Sequence, residues 1–198
     1  LTGYASFTTR RMAVMPFVPS QPPETGAARL APPLDCTLEQ LCEAINPEIA
    51  PGAEMVMAQA FQDALAPRLG ARLLPLAQAS RAFQTMTIDR RGDTLRDLAM
   101  RFGEALEADH VVVGTVWRFQ DRQREEGASV GFAAYCVEVG NRRRIWRAQF
   151  DHTQRSLTDD LLEARVFFRG GARWLTAAEL ARYGVDQVME QFPEVPPP

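Results

Sequence analysis

Two acid–imidazole neighbours, Asp109-His110 and Asp151-His152, carry the residue types of general acid–base chemistry. Both lie in stretches with strand character, where adjacent side chains point to opposite faces. The partners of each pair therefore diverge, and His152 is expected to make a surface or turn hydrogen bond. None of the serines or threonines stands in a Gly-x-Ser-x-Gly elbow, and there is neither a Gly-x-Gly-x-x-Gly fingerprint nor a phosphate loop. The sequence points to no catalytic residue and no cofactor.

Metal chemistry is equally thin. A site needs about four ligands at set spacings, and Cys36, Cys42 and Cys136 with His110 and His152 do not supply them. Cys136 falls in an apolar strand and reads as a small buried hydrophobe. Cys36 and Cys42 are near enough in sequence to pair in an oxidising compartment, and the sequence leaves open whether they do.

Two features suit contact with a partner. Arg142-Arg143-Arg144 follows the turn residues Gly140-Asn141, forming a basic hairpin tip for an acidic protein or phospholipid headgroups. Most such runs are simply solvated surface. Trp117 and Trp146 read as core residues under a helix. Trp174, beside Arg173 and ahead of a helix start, is the better candidate for an exposed contact.

The elements that position these residues centre on Ala108 to Phe119. Val111 to Val113 is apolar on both faces, as a strand covered by helices on two sides requires. Beyond it, Val113, Thr115, Trp117 and Phe119 are expected on one face, opposite Gly114, Arg118 and Gln120. Gly114 reads as a close approach of backbone or helix rather than a ligand contact. Leu95, Leu98, Ala99, Phe102 and Leu106 form the helix stripe leading in, capped at Thr94 and Asp97. After the strand come a charged loop at 122–127, a strand over Ser129 to Val139, a tight hairpin, and a strand over Arg144 to Phe150.

Earlier, Arg11 to Val18 reads as the first strand, with Pro16 marking its end. The stretch 19–34 carries Pro19, Pro22, Pro23, Pro32 and Pro33 and reads as a mobile surface loop. Thr37 to Gln40 caps a short helix, a longer helix spans about Gly52 to Pro67, and Arg72 to Leu76 supplies a short strand. Helical turns are expected over Ala77 to Phe83. A carboxy-terminal helical region over 151–192 is expected, with one start at Ser156 to Asp159 and a stronger one at Leu175 to Leu180. The tail, 193–198, reads as disordered.

These elements predict one α/β (α+β) domain over 1–198, with a single mixed β-sheet of about five strands, a carboxy-terminal antiparallel meander, and helices packed on the sheet. The 198 residues, 46% hydrophobic, suffice for one core. The net charge of −3 and scattered arginines, with no lysine, give no nucleic-acid footprint. No run reaches the roughly 18 apolar residues of a membrane span. Leu1-Thr2-Gly3-Tyr4 shows neither a charged nor an apolar signal region, so any export signal is absent from this sequence.

Val14-Met15-Pro16-Phe17, Phe61 to Leu65, Leu106 through Val116, and Trp146 to Phe150 occur in the order found in a group of bacterial envelope proteins. The chain resembles the amino-terminal domain of TolB, the curli-secretion lipoprotein CsgG and LpoB-type activators over about 11–150. The shared pattern, alanine-aspartate, apolar strand, glycine-threonine, is met by Ala108, Asp109, Gly114 and Thr115. The resemblance implies export, a lipid anchor on a cysteine upstream of Leu1, a place at the periplasmic face of the outer membrane, and a non-enzymatic role binding envelope proteins. The alternative is a hydrolase or small-ligand binder with a pocket near the end of strand 110–119, by Gly114, Asp109 and Arg118. A pore subunit would need lipid-facing hairpins, for which Arg142 to Arg147 is too charged.

Overall fold

The computed structural model describes residues 5–22, 33–41, 48–121, 127–154 and 174–196. Cys42, the charged loop at 122–126, most of the proline-rich loop and the expected helix at Ser156 lie outside the described residues.

The central strand is β3 (His110–Gln120) in a mixed sheet, with β1 (Met12–Val14) and β2 (Val18–Pro19) both parallel to it on one side. On its other side β4 (Ser129–Glu138) and β5 (Arg143–Thr153) run antiparallel, giving the order β1-β3-β4-β5 with β2 also on β3. The expected first strand is thus split in two. Pro16 cannot donate to a ladder, and the chain resumes pairing only at Val18. The strand expected at Arg72 to Leu76 shrinks to one bridge, Leu73 beside Met12.

Helices cover both faces. Besides the short α1 (Leu38–Leu41), they are α2 (Ala53–Leu69), α3 (Leu76–Thr85), α4 (Leu95–Ala105) and α5 (Ala177–Met189). Met57, Phe61 and Leu65 of α2 and Leu180, Val185 and Val188 of α5 pack on Val112, Val116, Phe132 and Trp146. On the opposite face, Leu95, Leu98 and Phe102 of α4 pack on Val111, Val113, Trp117 and Tyr135. Alternate residues of β3 therefore enter two separate cores, which explains a strand apolar on both faces.

Three helix starts, those of α1, α4 and α5, follow their capping signals. Thr94 accepts from the Asp97 amide at 3.1 Å, and the Asp97 carboxylate accepts from the Thr94 amide at 3.2 Å. Thr176 and Glu179 do the same for α5, and Thr37 and Gln40 for α1. The tail expected to be disordered is tied to the body over 194–196. Glu194 accepts from the Phe7 amide at 3.2 Å, and Arg72 donates to the Pro196 carbonyl at 2.8 Å.

Candidate interaction surfaces

At the hairpin tip the Arg142 amide donates to the Val139 carbonyl at 3.3 Å, and Arg142 adopts φ 55°. Four residues, 139–142, separate the paired Glu138 and Arg143, in place of the tight two-residue form expected from Gly140-Asn141. An arginine is uncommon at a positive φ, and tertiary contacts hold it. Its carbonyl accepts from Arg96 Nη1 at 2.7 Å, and its guanidinium donates to Asp97. Asp97 is held below its ordinary value, first by the Thr94 hydroxyl, and then by Arg142, against partial burial. Arg143 reaches Glu138 at 3.3 Å, a close ion contact without hydrogen-bond geometry. Of the three arginines, Arg144 alone makes no ion pair among the described residues; it is exposed.

Asp109 and His110 diverge as strand geometry demands. Asp109 Oδ2 accepts from the amides of Arg10 at 2.7 Å and Arg11 at 3.0 Å, latching the entry to β1. Burial pushes this carboxyl up, but the two amide bonds and the Arg10 guanidinium outweigh it and hold it low. His110 is 3% exposed, its ring centroid 4.6 Å from that of Phe7, and its Nδ1 lacks a hydrogen-bond partner. Burial pushes His110 down, opposed by Glu138 and Asp109, so the neutral ring is favoured. A polar hollow of about 380 Å³ lies here, but the Arg72 guanidinium in its wall is committed to three backbone carbonyls.

Farther along β3 the register shifts between Val116 and Arg118, so Trp117 occupies a bulge. Trp117 Nε1 and Arg118 Nη1 consequently both reach Asp151, at 3.3 and 2.7 Å, while Arg118 Nε bonds Glu48 at 2.8 Å. The bulge overturns the expected alternation: Trp117 packs in the α4 core and Phe119 in the α2 core. Trp117 and Trp146 are both buried, on opposite faces. Gly114 is a close approach, since a Cβ there would lie 2.2 Å from Phe17 and 2.5 Å from the Ala133 carbonyl. Asp109 and Arg118 are nine residues apart on an extended strand, about 30 Å. Gly114, Asp109 and Arg118 therefore do not converge on one pocket.

Trp174 is half-buried and its ring lies against Gly127. Cys136 is fully buried, which pushes its thiol up and leaves it a packing residue. Among the described residues no three His, Cys, Asp or Glu side chains gather as metal ligands, and no helix is long and apolar enough to cross a membrane.

A second concavity was not read from the sequence. It is an apolar cleft of about 630 Å³ beside β2, walled by Phe17 and Val18, by Ile49 ahead of α2, by Phe83 of α3 and by Leu98 of α4. Ile88, between α3 and α4, lies on its rim and is 37% exposed.

No family model and no curated protein matches the chain. Among solved structures, PelC from Paraburkholderia phytofirmans, a dodecamer, matches at 13% identity and a TM-score of 0.52, over 99% of this chain and 96% of that one. The lipoprotein GNA1162 from Neisseria meningitidis matches at 16% identity and a TM-score of 0.45, over 81% and 98%. The LpoB C-terminal domain from Salmonella enterica matches at 15% identity and 0.41, over 75% and 86%. TolB and CsgG gain no specific support. The last two likenesses are too loose to argue from, and the first shows a fold shared with PelC along nearly the whole of both chains.

Proposed function

We propose that this chain is a non-enzymatic assembly module of a bacterial envelope lipoprotein, acting at the periplasmic face of the outer membrane by binding proteins, first among them copies of itself. The observation that carries this reading is the edge of the sheet. Strand β5 spans eleven residues, and among the described residues no strand pairs with its outer side. A long strand edge presents unpaired amides and carbonyls and invites a further strand. Arg147, Gln149 and Asp151 alternate along it as exposed side chains. The dodecameric state of PelC, whose fold corresponds along nearly the full length, supports copies of the chain as the partner. The lipid anchor, the envelope setting and further envelope proteins as partners follow from the sequence resemblance, and Arg144 and Trp174 are offered as contacts on the residues' own chemistry.

Gln149→Lys tests the edge, because an exposed lysine there opposes strand addition without touching the core. The variant should keep the wild-type circular dichroism spectrum and lose self-association at least tenfold by light scattering. Unchanged association in the variant would move the interface elsewhere and remove the edge from the account.

A further inference from the structure

We propose that the apolar cleft beside β2 is a binding site for a single-chain anionic amphiphile, with the acyl chain in the cleft and the headgroup at Arg90. This goes beyond the assembly role and does not depend on it.

Three observations converge. The cleft, about 630 Å³, falls in the range of small-ligand pockets, which run from about 300 to 1,000 Å³ and are mostly apolar with a few polar groups. Its walls come from β2, the approach to α2, α3 and α4, so it is a built concavity between packed elements rather than a flat face. Ile88, on the rim, is the exposed large apolar side chain of the described residues, and a chain lying in the cleft would cover it.

Charge at the mouth selects the headgroup. Arg90 and Glu54 both line the cleft, and neither makes an ion pair among the described residues, with each other or elsewhere. Gly52, which also lines it, opens the seventeen-residue α2 with no side-chain cap, leaving the positive end of that helix facing the same space. Arg90 and the helix end together favour an anion, and Glu54 opposes it. A carboxylate or phosphate headgroup is therefore placed towards Arg90.

Calorimetric titration with palmitate below its micelle concentration tests this directly, with lysophosphatidic acid and hexadecyltrimethylammonium as the phosphate and cationic arms. One saturable site per chain is expected for palmitate, at least tenfold weaker in Ile88→Glu and in Arg90→Glu and tighter in Glu54→Gln. Tighter binding of lysophosphatidic acid with the same response to the variants would assign the headgroup as phosphate and uphold the site. Ile88 is exposed, so Ile88→Glu should keep its circular dichroism spectrum; Arg90→Glu provides a second, independent variant. No saturable binding, equal binding in both variants, or preference for the cation would overturn the proposal. Sedimentation of Ile88→Glu separates the remaining occupant: an unchanged particle mass is expected, and dissociation would give the cleft to a second copy of the chain and overturn the ligand site.

Discussion

Asp97 joins two parts of the molecule through one carboxylate, the start of α4 through Thr94 and the hairpin tip through Arg142, and Arg96 beside it donates to the Arg142 carbonyl. Thr94→Ala removes the cap and should cost about 1 kcal/mol in chemical denaturation. Asp97 has a folded pKa below its ordinary 3.8, so its contribution is present above that value and lost as pH falls through the lower one. Asp97→Asn should flatten the acid limb of the stability profile, and an unchanged limb would contradict the clamp. His110 carries the opposite chemistry. Its folded pKa is below 6.5, so between that lower value and 6.5 the unfolded chain holds more protons. Stability should rise with pH through that window and be complete above 6.5. In His110→Phe, which keeps a ring against Phe7, the difference between urea midpoints at pH 5 and pH 7 should shrink; an undiminished difference would place the titration elsewhere.

At the scale of elements, the helices and the meander were legible because each carries its own signal. Thr94 with Asp97 and Thr176 with Glu179 announce helix starts, and the apolar spacings 3 and 4 announce their buried stripes. The face of Phe119 was not legible, since a bulge inserts one residue and reverses a two-residue alternation with no change in composition. Its trace is Gly131, over which the Trp117 indole lies: a Cβ there would sit 2.3 Å from Nε1. Gly131→Ala must displace the indole and its bond to Asp151. Gly114→Ala meets the Ala133 carbonyl at 2.5 Å, a backbone atom that yields less than a side chain. Both should destabilise by about 1–3 kcal/mol, with Gly114→Ala the costlier; the reverse order in equilibrium denaturation would contradict the packing described here. The cleft was invisible for another reason. Phe17, Ile49, Phe83, Ile88 and Leu98 come from separate elements, and no local spacing links them.

For the whole molecule, two cores on either side of one sheet account for the helices on both faces and leave β5 as the long free edge among the described residues. The apolar run of β3 demands cover on both faces and so was legible, whereas under the proposed function the partner is met by surface residues such as Arg144 and Gln149, whose types the fold does not dictate. The proposed self-assembly makes particle size the decisive quantity. Sedimentation equilibrium of the purified chain, across a hundredfold range of concentration, measures it most directly. A mass that is a fixed multiple of the single chain, falling towards one chain in Gln149→Lys, is the predicted result. A single-chain mass at every concentration would contradict self-assembly.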